Sequence, residues 1–338
     1  MQTIILKKPG HFTLCDTDIP ASVEAGESLV QIRNIGICGT DLHAYRGRQP
    51  FFDYPRILGH ELSGIVVDAN GATHLTEGLP VVVNPYLSCG ECIACRRGRT
   101  NCCQSLQVLG VHCDGGMREF IKVPSGNLLP AKGLETEQMA TVECLTIGAH
   151  AVRRAKLEPG ETIAVVGTGP IGIGVIHFAK IAGARVIAVD VNQSRLDYCM
   201  DTLGVDAVVD ARESPQSHLM ELTNGDKPTA VFEVTGNKSS MENSFQYVSH
   251  GGQLVFVGLV KDALKFDDPH FHKHELTVKS SRNGTKGDLQ HVIDSIRDGK
   301  VDTKSFITHR CSFQEMPGQF DSWLLPETGV IKAMVEIS

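Results

Sequence analysis

The sequence has no long apolar run and no excess of basic residues. None of its apolar stretches approaches the roughly 18 residues that a membrane-spanning helix needs, so we expect no membrane partner. Its 32 lysines and arginines are outnumbered by 39 acidic residues, for a net charge of −7, which argues against a broad surface for nucleic acid. Residues 1–14 carry Lys7 and Lys8 but no apolar segment behind them, so we expect no secretory signal and a cytoplasmic protein.

Aromatic residues are also scarce, at 6%, yet hydrophobic residues make up 41% of the 338 positions. That hydrophobic share is sufficient for sizeable cores and argues against wholesale disorder. A chain of this length is typical of two domains, one of which can be split along the sequence.

Cysteine is abundant, with eleven residues, and four of them lie close together as Cys89, Cys92, Cys95 and Cys103. The spacing C-x2-C-x2-C-x7-C, in a glycine-rich and polar segment, predicts a loop that holds a structural zinc through four thiolates. Disulfides are the alternative, but a reducing compartment disfavours them. Cys102 competes with Cys103 for the fourth position.

A second set of zinc-binding residue types is spread along the chain. Residues 36–43 read G-I-C-G-T-D-L-H and residues 59–64 read G-H-E-L-S-G. Cysteine, histidine and carboxylate side chains are common zinc ligands. Alone, Cys38 or the pair His60 and Glu61 would be weak evidence for a zinc site. The evidence is stronger in a chain that also has the four-cysteine loop and the glycine motif described next.

A glycine motif follows a short apolar strand predicted at 162–166. Residues 167–172 read G-T-G-P-I-G, a helical pattern runs over 170–181, and the next predicted strand, 185–189, ends at Asp190. This is G-x-G-x-x-G in a βαβ setting, where backbone amides approach a pyrophosphate and an acidic residue accepts from the adenine ribose. Asp190 favours NAD over NADP. The residues expected to line this turn are Gly167, Gly169, Pro170, Ile171 and Gly172.

Strand and helix patterns continue to alternate after this motif. That alternation predicts an α/β fold with a doubly wound, parallel sheet. Ligands bind outside the carboxyl ends of such strands. The additional strands are predicted at 207–209, 230–234, 254–257 and 276–279.

Taken together, these motifs resemble the zinc-containing medium-chain dehydrogenase/reductase family, which includes alcohol, sorbitol and threonine dehydrogenases. The resemblance covers the whole chain in the right order. It implies a GroES-like, β-rich catalytic domain formed by residues 1–145 and 284–338, and a Rossmann domain formed by residues 146–283. It further implies two zinc ions per chain, one catalytic and one structural, and NAD as cofactor.

The resemblance implies ligands for the catalytic zinc. Cys38 and His60 match the family's ligand positions, and Glu61 matches a carboxylate that binds zinc in some states. Glu143 matches the last ligand position. Cys144 stands where sorbitol dehydrogenase-like members have proline, so it is the alternative to Glu143.

The resemblance also implies a proton relay. Thr40 matches the residue that contacts the substrate oxygen, and His43 matches the residue that ends the relay by way of the nicotinamide ribose. Asp41 is expected to orient His60. Further cofactor contacts are expected from Arg195, Thr235, Val257, Gly258, Ser281 and Arg282.

The resemblance further implies a small hydroxylated molecule as substrate. Segments 49–56, 110–112, 271–273 and 281–283 are similar to the polyol and sugar-acid branch of the family, which implies oxidation of a secondary alcohol to a ketone. A carboxylate substrate needs a cation, for which Arg48, Arg56 and Arg282 are candidates, and His112 is a further candidate contact.

Several alternatives stay open at this point. The same zinc site and relay would support oxidation of L-threonine or of simple secondary alcohols. A catalytically silent NAD-binding protein, or a zinc-free reductase of the same fold, would be expected to lack Cys38 or His60. By the family resemblance we expect a homo-oligomer, either a dimer or a tetramer.

Overall fold

The computed structural model describes residues 1–49 and 52–337. Pro50 and Phe51, which belong to the segment predicted to mark the polyol and sugar-acid branch, lie outside the described residues. The chain divides into two compact units, one formed by Met1–Glu143 with Thr285–Ser338 and the other by Cys144–Gly284. Within the described ranges, no helix is long and apolar enough to cross a membrane.

The strands are numbered in chain order. They are β1 (Gln2–Lys8), β2 (His11–Asp16), β3 (Glu27–Ile37), β4 (Glu61–Asp68), β5 (Pro80–Val83), β6 (Tyr86–Leu87), β7 (Gln107–Val108), β8 (Phe120–Pro124), β9 (Leu128–Pro130), β10 (Thr162–Val166), β11 (Arg185–Asp190), β12 (Ala207–Asp210), β13 (Ala230–Glu233), β14 (Gln253–Phe256), β15 (Thr277–Ser280), β16 (Ile307–Ser312) and β17 (Lys332–Glu336).

The α-helices are numbered in the same way. They are α1 (Gly39–Tyr45), α2 (Ile93–Arg96), α3 (Thr136–Ala140), α4 (Val142–Ala155), α5 (Pro170–Ile181), α6 (Gln193–Asp201), α7 (Pro215–Leu222), α8 (Lys238–Asn243), α9 (Asp268–Lys273), α10 (Lys286–Arg297) and α11 (Met316–Gln319).

The first unit is built around β3, an eleven-residue strand. Its sheet has the order β16-β17-β3-β4-β5-β9, with β8 also paired to β3. The side chains of Val30, Ile32 and Ile35 are fully buried in the core of this unit. Strand β17 runs antiparallel to β3. Residues 332–336 therefore belong to the same sheet as residues 27–37.

The second unit contains a parallel sheet with the order β12-β11-β10-β13-β14-β15. Strand β10 is apolar along most of its length, and Ile163, Ala164 and Val165 are fully buried, as expected for a strand covered on both faces. The order steps outward in both directions from β10, which is the arrangement of a doubly wound fold. The predicted α/β fold class, with a β-rich unit and a doubly wound parallel sheet, is therefore confirmed.

The cysteine-rich segment contains more regular structure than the sequence predicts. The prediction of a plain loop is wrong at α2 and at the short 3-10 turn Thr100–Cys102. Side chains three apart on a helical turn share one face, and the amide of Arg96 donates to the carbonyl of Cys92 at 2.9 Å. This turn brings Cys92 and Cys95 together, so the helical geometry serves the cysteine cluster.

Two glycines, Gly148 and Gly174, lie where α4 packs against α5 in the second unit. A Cβ added to Gly148 would lie 2.3 Å from the backbone carbonyl carbon of Gly174. A Cβ added to Gly174 would meet its nearest neighbours, in Leu145, at an ordinary 3.5 Å. Only Gly148 is therefore required by close packing.

We expect Gly148→Ala to destabilise the protein by about 1–3 kcal/mol, because the added methyl group must push the two helix backbones apart. Gly174→Ala is the matched control and should be neutral or stabilising by up to about 1 kcal/mol, since alanine is the better helix former. Denaturant midpoints, followed by circular dichroism, measure both effects. Equal midpoints for the two variants would contradict this account of the helix contact.

Candidate metal centre and nucleotide site

The four predicted cysteines form one cluster. The sulfur atoms of Cys89, Cys92, Cys95 and Cys103 all lie within 4.8 Å of one another. The Cys89 and Cys103 sulfurs are 3.4 Å apart and those of Cys92 and Cys95 are 3.5 Å apart. Bonds of 2.3 Å to a tetrahedral zinc would place sulfur atoms roughly 3.8 Å apart, so the spacing suits zinc.

Backbone amides point at the sulfurs of this cluster. The amide of Cys89 donates to the Cys103 sulfur at 3.3 Å, and the amide of Cys92 donates to the Cys89 sulfur at 3.4 Å. Hydrogen bonds from the amides of Cys92 and Glu91 lower the pKa of the Cys89 thiol to about 6. The thiolate is the form that binds metal. Cys102 is exposed and is not a member of the cluster.

A second cluster lies where β3 ends and β4 begins. Ligand atoms of Cys38, His60 and Glu61 lie within 4.8 Å of one another. Strands β3 and β4 are antiparallel neighbours, with Gly36 opposite Glu61. A residue just after β3 therefore meets residues at the start of β4, which explains how two distant motifs form one group.

Glu61 forms a buried ion pair with Lys332 of β17. The Lys332 Nζ atom lies 2.6 Å from both carboxylate oxygens of Glu61 and donates to the carbonyl of Ile37 at 3.0 Å. Glu61 is 0% and Lys332 is 1% exposed. A Cβ at Gly36 would lie 2.1 Å from Glu61 Oε2, so glycine leaves the space that this carboxylate occupies.

Asp41 lies beside His60, as the sequence predicts. Its Oδ2 atom accepts from the amide of Cys38 at 2.9 Å, and its Oδ1 atom lies 3.8 Å from His60 Nδ1. Burial opposes a charged His60, but the Asp41 carboxylate and the Cys38 thiol beside it raise the pKa of His60 well above its ordinary value. The Asp41 Oδ1 and His60 Nδ1 atoms are buried without a hydrogen-bond partner in the described part of the chain.

Glu143 lies close to this cluster but outside it. It is the second residue of α4, is buried, and accepts a hydrogen bond from the Tyr86 hydroxyl. Burial raises the pKa of Glu143, whereas nearby His60 lowers it. The group within 4.8 Å contains Cys38, His60 and Glu61 and does not contain Glu143. Cys144, the alternative to Glu143, is buried and is also absent from the group.

The charges around this cluster favour a bound cation. Burial raises the pKa of Asp41 and that of Glu143, and the neighbouring Glu61 carboxylate raises both further. Divalent cations balance such an excess of acidic groups, and a thiol, an imidazole and carboxylates are a donor set that zinc accepts. The residues present therefore fit a zinc ion.

The two predicted relay residues lie on α1. Thr40 is half-buried and His43 is exposed. Residues three apart lie on the same side of a helix, so Thr40 is on the same face as His43. The sequence predicted polar relay positions, and the structure adds that a helix, begun at Cys38 as its N-cap, sets their spacing.

The glycine motif forms the turn between β10 and α5. Gly167 has a φ of +95°, a left-handed conformation that favours glycine. A Cβ at Gly172 would lie 2.0 Å from the carbonyl oxygen of Gly167. Gly169 is the N-cap of α5 and Pro170 is its first residue, with Ile171 next in the helix. Backbone amides at this helix start suit a pyrophosphate.

The other predicted cofactor residues lie at carboxyl ends of the parallel strands, except Arg195. Asp190 ends β11 and is buried. Arg195 lies on α6, and its Nη1 atom would be 3.7 Å from a Cβ added to Gly169. The rest follow β13, β14 and β15 and are Thr235, Val257, Gly258, Ser281 and Arg282.

The candidate substrate contacts lie in different surroundings from one another. Arg56 is already near Asp114, with Nη1 3.6 Å from Oδ1, and its guanidinium lies 6.0 Å from the Phe52 ring centre. The Nδ1 atom of His112 accepts from the amide of Val108 at 3.1 Å. Arg48 and Arg282 are exposed.

Three residues near these sites were not identified by any sequence pattern. Lys332 is a lone lysine in the C-terminal tail, and Tyr86 is a lone tyrosine before the cysteine loop. Thr168 occupies a variable position of the glycine motif. Each becomes recognisable only through its contacts with Glu61, Glu143 or Asp190.

Comparison with known proteins identifies both units. Residues 24–133 match the alcohol dehydrogenase GroES-like domain, and residues 170–298 match the zinc-binding dehydrogenase domain. The chain is 39% identical to L-galactonate-5-dehydrogenase of Escherichia coli K12, over 99% of this chain and 98% of that protein. It is 34% identical to 2-dehydro-3-deoxy-L-galactonate 5-dehydrogenase of Pseudoalteromonas atlantica, over 84% of each chain.

A solved structure agrees over nearly the whole length. An alcohol dehydrogenase from Escherichia coli CFT073, complexed with NADH, superimposes with a TM-score of 0.93 and 28% sequence identity, over 99% of each chain. The family resemblance, and the branch of it that the motifs predict, are confirmed by these relatives.

We expect Lys332→Met to destabilise the protein by about 3–5 kcal/mol, because it leaves the buried Glu61 carboxylate without its counter-charge. Lys300→Met is the matched control. Lys300 pairs with Asp298 at 2.9 Å with more than half of each side chain exposed, at 56% and 53%, so its loss should cost about 1 kcal/mol or less. Denaturant midpoints compare the two variants, and similar losses would contradict the importance of the buried pair.

Proposed function

The chain belongs to the family of zinc-binding alcohol dehydrogenases, and from that premise we propose that it oxidises a secondary alcohol of a sugar acid or polyol to a ketone, with NAD as hydride acceptor. The observation that carries this proposal is the group of half-buried Cys38 with buried His60 and Glu61, in a chain 39% identical to L-galactonate-5-dehydrogenase over nearly its whole length. That the protein is an alcohol or polyol dehydrogenase follows from the family itself.

The first unit supplies the polar chemistry of this reaction. A zinc ion bound at Cys38 and His60 supplies Lewis-acid polarisation of an alcohol oxygen and favours its deprotonation. Glu61 and Glu143 are the carboxylates available to complete the donor set. Asp41 restrains His60 by accepting from the turn that carries Cys38 and by facing the His60 ring, which is the role of a carboxylate behind a metal-binding histidine.

Thr40 and His43 move the proton of the alcohol outward. The half-buried Thr40 hydroxyl accepts that proton while passing its own onward, and the exposed His43 imidazole exchanges it with solvent. Histidine suits this task because its ordinary pKa lies near neutrality. The gradient of exposure along one face of α1 supports this order of transfer.

The second unit supplies the cofactor site. A bound nicotinamide cofactor supplies the acceptor for the hydride. The turn at Gly167 and Gly169 offers backbone amides to its phosphates, and Asp190 accepts from its adenine ribose. The NADH complex of the similar alcohol dehydrogenase supports the choice of a nicotinamide cofactor.

The cysteine cluster supports a second, structural zinc. Four sulfurs fill a tetrahedral shell and leave no position for substrate. The segment around Cys89 is poor in apolar side chains of its own, and a metal ion would hold it folded. We therefore propose two zinc ions per chain, of which only the one at Cys38 and His60 takes part in the reaction.

Relatives support the substrate class. Both named relatives act on galactonate-type sugar acids by their names. The exposed Arg48 guanidinium is a candidate cation for a substrate carboxylate.

The first test combines metal analysis with turnover. We expect two zinc ions per chain and NADH formation on L-galactonate, with weaker or no turnover of sorbitol, L-threonine and butan-2-ol. Cys38→Ser should lose one zinc and lower kcat by more than about a hundredfold. Loss of an outer-shell partner costs up to about that much, and Cys38 is a direct ligand in this proposal. Cys15→Ser, at a half-buried cysteine away from both clusters, is the control and should retain both metal and activity.

The outcomes separate the alternatives. Turnover of only L-threonine or simple alcohols would refute the sugar-acid assignment while leaving the dehydrogenase chemistry intact. One zinc and no turnover on any substrate would favour a catalytically silent NAD-binding protein.

Cofactor choice is tested by Asp190→Ala. We expect the preference for NAD over NADP to fall by about tenfold or more, because the variant loses a carboxylate that accepts from a hydroxyl and repels a phosphate. Asp210→Ala is the control, since Asp210 ends the neighbouring strand and is paired with Arg212 instead. The ratio of kcat/KM for the two cofactors is the measurement. An unchanged ratio in Asp190→Ala would place the discrimination elsewhere.

A further inference from the structure

Thr168, inside the glycine-rich turn, lies against the carboxylate of Asp190. Thr168 is 1% exposed. Its amide nitrogen lies 2.7 Å and its Oγ1 atom 2.8 Å from Asp190 Oδ2, and both donate to that oxygen. Two donors of a single residue therefore converge on one oxygen of the carboxylate.

The other oxygen of Asp190 is held by the backbone two residues further along the chain. Its Oδ1 atom accepts from the amide of Asn192 at 2.9 Å. Asn192 in turn caps α6, where its side chain accepts from the amide of Arg195. A carboxylate offers about four acceptor positions, and these contacts occupy three of them. One position on Oδ1 is left for an additional donor.

We propose that Thr168 is a positioning residue that sets the preference for NAD over NADP, by fixing the Asp190 carboxylate so that its remaining acceptor position serves a ribose hydroxyl. This inference rests on the proposed use of NAD. A fixed carboxylate accepts from a 2′-hydroxyl and repels a 2′-phosphate, whereas a carboxylate free to rotate does neither as well.

Arg195 makes the fixed orientation matter. Its guanidinium reaches the neighbourhood of Gly169, with Nη1 3.7 Å from where a Cβ would stand. A 2′-phosphate would be attracted to this cation and repelled by the carboxylate of Asp190. The two donors of Thr168 hold the Asp190 carboxylate in place. A 2′-phosphate would therefore approach this carboxylate as well as the Arg195 guanidinium.

Thr168 has a second side-chain neighbour, which a substitution also affects. The Cys199 thiol also lies beside its hydroxyl, and burial raises the pKa of that thiol to about 12, so it stays neutral. Valine has the shape of threonine and replaces the hydroxyl by a methyl group without opening a cavity. Thr168→Val therefore removes one donor to Asp190 and keeps the amide donor.

The test is a binding titration of the full chain without substrate. Dissociation constants for NADH and NADPH are measured by fluorescence for the wild type, Thr168→Val and Thr168→Ser. We expect the wild type to prefer NADH, and Thr168→Val to reduce that preference by about tenfold, the effect of losing one hydrogen bond to a charged group. Thr168→Ser retains the hydroxyl and should keep the wild-type ratio.

Thr229→Val is the matched control. Thr229 precedes β13 at the amino end of the same sheet, and its hydroxyl donates to the carbonyl of Thr162 at 3.3 Å. Its loss should leave the NADH-to-NADPH ratio unchanged. Thr168→Ala removes the same hydroxyl with a smaller side chain and replaces Thr168→Val if the valine variant does not fold.

Each outcome bears on a different statement. If Thr168→Val leaves the NADH-to-NADPH ratio unchanged, whether or not both dissociation constants rise, Thr168 has only a structural role and the inference is wrong, while the proposed use of NAD stands. If the wild type binds neither cofactor, the proposed function fails at the cofactor and the inference fails with it.

Discussion

The buried ion pair between Glu61 and Lys332 is the interaction on which the first unit depends. Two charges removed from water are tolerated only when each satisfies the other, and here the partners stand 271 residues apart in sequence. Lys332 reaches Glu61 because β17 pairs with β3 and β3 pairs with β4. The group of Cys38, His60 and Glu61 therefore has its counter-charge only when β17 has paired with β3.

The same rule organises the rest of that group. Each acidic side chain near His60 is held by a donor of its own, Asp41 by the amide of Cys38 and Glu143 by the hydroxyl of Tyr86. The carboxylates near His60 are thus oriented by hydrogen-bond donors around them, as outer-shell contacts orient the ligands of a bound metal.

The nucleotide unit applies this principle to a different ligand. Glycine permits close approach of the backbone at Gly167 and Gly172, and the proposed role of Asp190 is to accept from a ribose hydroxyl. The neighbours of Asp190 fix its orientation just as Lys332 and Tyr86 fix the carboxylates of the first unit. In both units an acidic group performs its task because nearby donors leave it few alternative orientations.

The sequence by itself determined the elements whose signals are local. Residue spacing indicated the cluster around Cys89, the helix Pro170–Ile181 and the alternation of a doubly wound sheet, because a turn, a helix period and a glycine motif are each encoded within a few residues. Tertiary structure decided the rest. It placed Cys38 beside His60, left Glu143 outside the closest group, and chose Lys332 and Thr168 as partners. Those contacts join strands and turns far apart in sequence, and a lone lysine or threonine carries no local pattern that names its partner.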